Sequence, residues 1–192
     1  MNFLGHFYLS QNDPDLIVGN YIADFVKGKK YSEYPPAIAQ GIIMHREIDY
    51  YTDRHPMVRK GRKRLFKIYR HYSGVIMDMY YDHFLANLWH EYSTSPLINF
   101  ADYIYNIIEQ NWVYLPENSQ FMFPYMKSGN WLLRYATTDG IGKSLNGMSR
   151  RLNNNSQLER AVNQLHEFYE DFQVEFRTFI IDINNHIKDK KF

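Results

Sequence analysis

Apolar residues recur at three- and four-residue spacing along almost the whole chain, and nowhere do they alternate as a half-buried strand requires. The pattern predicts helices over about residues 2–10, 14–26, 36–53, 57–71, 74–92, 96–114, 131–137, 141–151 and 157–187. Asp13-Pro14 supplies an N-cap followed by proline in the first turn, and Pro35-Pro36 and Ser95-Pro96 open two further helices. His55-Pro56 divides two more, because the residue before proline disfavours helix. Gly28 is the expected C-terminal cap of the second helix, and Ser73 the expected cap of the helix that follows it. Residues 117–130 carry Pro124 and Gly129 and read as mixed structure, while Asn153-Asn154-Asn155-Ser156 reads as a turn. The closing helix presents Leu165, Phe168, Phe172, Phe176 and Phe179 as one stripe that should dock on the common core. The expected fold class is all-α, as a single helical domain over residues 1–192.

Composition narrows the chemistry. A chain of 192 residues, 45% apolar and rich in Tyr (17) and Phe (13), is long enough for one full core. The absence of cysteine excludes a disulfide scaffold, a thiolate metal site and a cysteine nucleophile. Any metal must be held by His, Asp or Glu, a donor set that suits Mg, Mn, Fe or Zn. The net charge of +1 gives no global reason to expect a nucleic-acid partner. The N-terminus lacks a basic region before an apolar run, and no stretch approaches the ~18 apolar residues of a membrane span, so a soluble, cytoplasmic protein without membrane association is expected.

Three helices carry polar groups on the wrong face. Ile38, Ile42, His45 and Asp49 follow a four-three-four progression, which keeps the last two on the apolar side of their helix. Asp53 continues the line, and His45, Asp49 and Asp53 span about 80° of arc. In MDMYYDHFLANLW, Asp78 and Asp82 share the face of Val75, Met79, Ala86 and Trp89, with His83 about 100° further round. In LIVGNYIADFV, Asn20 and Asp24 sit beside Ile17, Tyr21 and Ala23. A carboxylate turned inward without a partner costs several kcal/mol or titrates to neutral, and a metal ion or cation removes that cost. The bland reading of each group is a helix cap or an arginine pair, and it weighs most at Asp53 and Asp78, near helix ends. His6 alone reads as a satisfied core histidine, and His71, His90, His166 and His186 as surface or structural.

Histidines and carboxylates drawn from several helices can hold one or two divalent ions, which suits hydrolysis of a phosphate ester. A carboxylate outside the coordination sphere can then position the water. Arg46, Arg54, Arg59 and Arg62 near the HREIDYYTD stretch, and Arg134 and Arg150-Arg151 further on, are candidates for phosphate oxygens. VRKGRKR, residues 58–64, reads either as a solvated face or as a dock for an acidic partner. The HExxH zinc motif is absent.

Beyond these physical signals, MNFLGHFYL, GNYIADFVKG, YPPAIAQGI, MHREIDYYTD, DHFLANLW, WLLRY and LNGMSRR together resemble, in order and wording, the acyl carrier protein phosphodiesterase family. The resemblance spans nearly the whole chain. It implies an HD-domain-like all-α fold and hydrolysis of the phosphodiester that links 4′-phosphopantetheine to holo acyl carrier protein, an acidic partner. It implies Mn²⁺ or Mg²⁺ as cofactor. Matched residue by residue, the family's motifs fall on His6, Asp24, His45, Asp49, Asp53, Asp82 and His83. The expected ligand set is His45, Asp49, Asp82 and His83, with Asp24, His6 and Asp53 as supporting catalytic groups and Arg46 as phosphate clamp. The dipeptide Asp82-His83 reverses the His-Asp order of HD domains. Two other readings stand beside this one: a metal phosphohydrolase for a nucleotide or other small phosphodiester, and a helical protein that binds carrier protein without cleaving it.

Overall fold

Several helix starts follow from a residue that spares or satisfies an unpaired amide. The computed structural model describes residues 1–152, 156–190 and 192, and its described residues contain helices and no strands. The α-helices are α1 (Phe3–Leu9), α2 (Pro14–Ile22), α3 (Pro36–Arg54), α4 (Pro56–Tyr69), α5 (Ser73–Asn87), α6 (Trp89–Tyr92), α7 (Leu97–Gln110), α8 (Glu117–Ser128), α9 (Trp131–Arg134), α10 (Thr138–Arg151), α11 (Ala161–Glu167) and α12 (Tyr169–Lys190). Asp13 caps α2 by accepting from the amides of Asp15 and Leu16, both at 3.0 Å. Proline occupies the first turn of α2, α3 and α4. The architecture is the all-α, HD-domain-like one expected, and no helix among the described residues is long and apolar enough to cross a membrane.

Two packing devices position the site. The first is a backbone-to-backbone approach of α2 and α3. A Cβ at Gly19 would stand 2.2 Å from the Ile38 carbonyl oxygen, and one at Gly41 would stand 2.7 Å from that of Leu16. No larger residue fits there without separating the helices, so Asn20 and Asp24 are held beside His45 and Asp49. The second is an anchor for α1. The fully buried Asp82 of α5 accepts from the amides of Asn2 (3.1 Å), Leu4 (2.8 Å) and Gly5 (3.2 Å). These are unpaired donors at a helix N-terminus, where a negative charge is favourable. The anchor fixes α1, and with it His6, above the α3 face.

One core cluster draws from Met1 through Ile187 and includes the stripe of Leu165, Phe172, Phe176 and Phe179 expected on the closing helix. That helix is interrupted, however. A 3₁₀ turn at Leu158–Arg160 precedes α11, and Phe168 separates α11 from α12. The break lets Ala161 accept from the Tyr80 hydroxyl while Tyr169 reaches His83. The expected helix over residues 74–92 likewise divides, at Leu88, into α5 and α6. α2 ends at Ile22 in a 3₁₀ turn, Ala23–Phe25, so Gly28 (φ +58°) lies in the following loop and does not cap the helix. Within residues 117–130, read as mixed, Glu117–Ser128 form the regular helix α8 around Pro124. Packing of Phe123 against Tyr21, Tyr105 and Trp112 outweighs the hydrogen bond that proline forfeits. The turn expected at residues 153–156 lies, apart from Ser156, outside the described residues.

Candidate metal centre

His45 and Asp49 stand one turn apart on α3, His6 descends from α1, and Asp24 arrives on the 3₁₀ turn after α2. The His45 Nε2 atom lies 3.2 Å from Asp49 Oδ2 and 3.3 Å from Asp24 Oδ1. His6 Nε2 lies 3.2 Å from Asp49 Oδ1. The two imidazoles stack at 3.9 Å between centroids, so both present a nitrogen to one carboxylate. Ligand atoms of His6, His45 and Asp49 all fall within 4.8 Å of one another. The cluster floors a pocket of about 260 Å³ whose wall also carries Asn20, Thr52, Asp53 and Asp78.

The donor set fits a divalent cation. Asn20 donates its amide hydrogens to Ser10 Oγ (3.0 Å) and to the Leu16 carbonyl (3.1 Å), which turns its oxygen toward His6 Nδ1 at 3.1 Å. That network assigns the hydrogen of neutral His6 to Nδ1. The Nε2 lone pair therefore faces two further acceptors, Asp49 and the Met1 carbonyl oxygen at 3.1 Å. Burial, with His45 alongside, pushes His6 down to about 4, so it does not supply the missing proton near neutrality. A lone pair directed at oxygen lone pairs is the arrangement that a cation relieves. Burial also opposes charge on His45, but its bonds to Asp24 and Asp49 prevail and push it up to about 9. Burial raises Asp49 and the two imidazoles outweigh it, holding the carboxyl far below the usual carboxylate range. The bond to His45 likewise lowers Asp24. His45 Nδ1 is buried without a hydrogen-bond partner among the described residues.

Of the residues expected from sequence, the structure brings together His6, Asp24, His45 and Asp49. It does not bring Asp82 and His83 to them, which corrects the expected ligand set. Both oxygens of Asp82 are occupied by α1 amides, and burial pushes its carboxyl up to about 7 against the pull of the Met1 ammonium and those amides. His83 uses both ring nitrogens, one toward the Tyr135 carbonyl (2.8 Å) and one toward the Tyr169 hydroxyl (3.0 Å). Burial lowers it, so it is a neutral structural residue. Arg46 is also displaced from its expected role. One step beyond His45 on the helix, its guanidinium donates to the carbonyls of Val26 (2.8 Å) and Gly28 (2.7 Å) and pins that loop. Asp53 reaches the pocket rim and pairs with Arg62 at 2.8 Å. His186 pairs with Glu47 at 2.7 Å, a structural role as expected.

Sequence reasoning passed over Asn20 as a supporting group, although it had marked the residue as out of place. Asp78, marked in the sequence with Asp82 but not as a site residue, pairs with the Met1 ammonium at 2.9 Å, and Thr52, which carried no signal, has a buried hydroxyl with no partner among the described residues. A second cavity, a trough of about 640 Å³, shares Asn2, Phe3, Asp24 and Val75 with the metal pocket and runs on along α10.

Comparison with known proteins identifies the family. The acyl carrier protein phosphodiesterase family model matches residues 1–183. Among curated proteins, an acyl carrier protein phosphodiesterase of Photorhabdus laumondii subsp. laumondii is 34% identical over 93% of this chain and 91% of its own length. One from Yersinia pestis is 34% identical over 93% of both chains, and one from Serratia proteamaculans is 32% identical over the whole of both. No solved structure matches the chain significantly. A match that runs end to end and spans His6, Asp24, His45 and Asp49 alike makes this chain a member of the acyl carrier protein phosphodiesterase family.

Proposed function

We propose that this chain hydrolyses the phosphodiester joining 4′-phosphopantetheine to holo acyl carrier protein and releases the apo protein. The observation that carries the reading is the His6–His45–Asp49 cluster, open to a pocket, in a chain of this family. His6 Nε2, His45 Nε2 and Asp49 would hold the ion. Two imidazole nitrogens beside carboxylate suit Mn²⁺ better than Mg²⁺, which prefers an all-oxygen shell. When bound, a divalent ion polarises a phosphoryl oxygen and makes water a stronger acid.

The chain's own groups supply the rest. Asn20 holds His6 in the tautomer that offers Nε2. Asp24 is more exposed than Asp49 and sits at the junction of the metal pocket and the trough, so it orients the attacking water by accepting its hydrogen. The water oxygen bonds to phosphorus as the bond from phosphorus to the carrier serine oxygen breaks. The proton that the water loses balances the one that the serine oxygen gains.

The carrier itself has a matching surface. Arg59, Arg62, Lys63 and the half-exposed Phe66 on α4 line a shallow cleft that also includes Asp53, a residue on the rim of the metal pocket. A basic face beside the reacting centre favours approach of an acidic protein. Incubating the protein with holo carrier protein and Mn²⁺ should lower the carrier mass by one phosphopantetheine arm. An unchanged carrier mass, with turnover of a small chromogenic diester, would move the substrate to another phosphodiester.

A further inference from the structure

The trough beyond Asp24 is unlike the metal pocket. Phe25, Val75, Met122, Trp131, Met148, Leu152 and Leu158 make its walls mainly apolar, and Arg134, Lys143 and Arg151 add positive charge. Lys143 is paired with Asp139 at 2.7 Å, whereas Arg134 and Arg151 make no ion pair among the described residues. At about 640 Å³ it is of the size that houses small organic ligands.

One glycine of its lining has no packing explanation. Gly147 lies inside α10, where glycine costs about 1 kcal/mol relative to alanine. Gly140, in the same helix, is explained by packing, since a Cβ there would stand 1.9 Å from the Arg134 carbonyl oxygen. Gly147 has no such reason, because a Cβ at that position meets nothing within 4 Å among the described residues. The space that its missing side chain leaves belongs to the trough.

We propose that the trough seats the uncharged pantetheine arm that hangs from the scissile phosphate, with Arg134 and Arg151 at the phosphoryl oxygens and Gly147 leaving room for the arm. This deepens the phosphodiesterase reading and rests on it. An arm of amides, methyl groups and a thiol carries no charge and matches apolar walls, and the phosphate at its end matches unpaired arginines. The shared wall of Asn2, Phe3, Asp24 and Val75 places the phosphate at the metal cluster when the arm lies along α10. The chain then selects its substrate partly by the small-molecule side of the diester, with Gly147 and Arg134 as specificity-determining residues.

The test uses the Mn²⁺-loaded protein with 4′-phosphopantetheine, pantetheine and inorganic phosphate as probes in calorimetry. The wild type should bind 4′-phosphopantetheine more tightly than phosphate. Gly147→Phe should weaken both pantetheine compounds at least tenfold while Mn²⁺ affinity and the unfolding midpoint hold. Arg134→Gln should weaken 4′-phosphopantetheine about tenfold and leave pantetheine unchanged. Methionine-methyl NMR reads the same site without mutation: pantetheine should shift Met122 and Met148 and leave Met44 and Met57 in place. Unchanged binding in Gly147→Phe, equal affinity for phosphate and 4′-phosphopantetheine, or shifts that miss Met122 and Met148 would each overturn the proposal. Failure of the wild type to convert holo to apo carrier would instead refute the reaction, and these binding results would still decide the trough.

Discussion

Asn20→Ala tests whether the hydrogen bond behind His6 sets the metal affinity. Asn20 is 2% exposed and makes three hydrogen bonds, to Ser10, Leu16 and His6. Alanine removes all three and leaves His6 Nδ1 buried without its acceptor. The orphaned donor costs about 1–3 kcal/mol, and the Ser10 bond contributes about 1 kcal/mol more, so the metal-free fold should lose about 2–4 kcal/mol. A separate effect falls on metal binding. Without Asn20 nothing holds the His6 hydrogen on Nδ1, and the Nε2 lone pair is no longer committed to the cluster. Loss of such a partner lowers affinity about 10–100-fold, or about 1.4–2.7 kcal/mol. Urea unfolding in chelator measures the first quantity, and Mn²⁺ calorimetry measures the second. Nitrogen-15 NMR of His6 reports the tautomer directly. If stability falls as expected while Mn²⁺ affinity stays within about twofold of wild type, Asn20 is only a core residue and the tautomer argument is wrong.

Three further outcomes follow from the site. Asp82→Ala should cost at least about 3 kcal/mol, because three α1 amides lose their acceptor, yet the folded variant should bind as many Mn²⁺ ions as wild type. Loss of an ion from a variant of normal stability, by metal analysis and urea titration, would restore Asp82 as a ligand. Burial depresses His83 below its unfolded value of about 6.5, so its contribution to stability is complete above that pH and is lost as pH falls toward the folded value. His83→Gln should therefore flatten the fall in urea midpoint as pH drops below about 6.5, and an unchanged slope would show that His83 does not titrate on unfolding. Replacing Arg59 and Lys63 with Glu should raise KM for holo carrier protein about tenfold at low salt, an effect that shrinks near about 0.5 M salt. Turnover of a small diester should be unaffected; an equal loss there would place these residues in the chemistry and not in docking.

Much of this molecule is written locally. Helix starts at Asp13, Pro36 and Pro56 follow from cap and proline chemistry that needs no tertiary context, and they fall where the sequence predicts them. The phase of His45 with Ile38 and Ile42 is likewise a property of one helix, so its inward placement is legible from spacing alone, whereas Asp49, one turn on, stays half-exposed at the pocket. The same rule also flagged Asp82, correctly as buried, but burial does not say against what. Whether an inward carboxylate meets a metal cluster or the end of another helix depends on which element crosses it.

The sequence by itself determined an all-α chain with His45 and Asp82 turned inward, because periodicity and capping act within a few residues. Only the tertiary structure decided what each of them meets. The close approach at Gly19 and Gly41 delivers Asp24 to His45, whereas the α1 amides take up Asp82 and carry His6 into the cluster in its stead. These are contacts between residues tens of positions apart, set by the crossing of packed helices, and no local pattern encodes the partner.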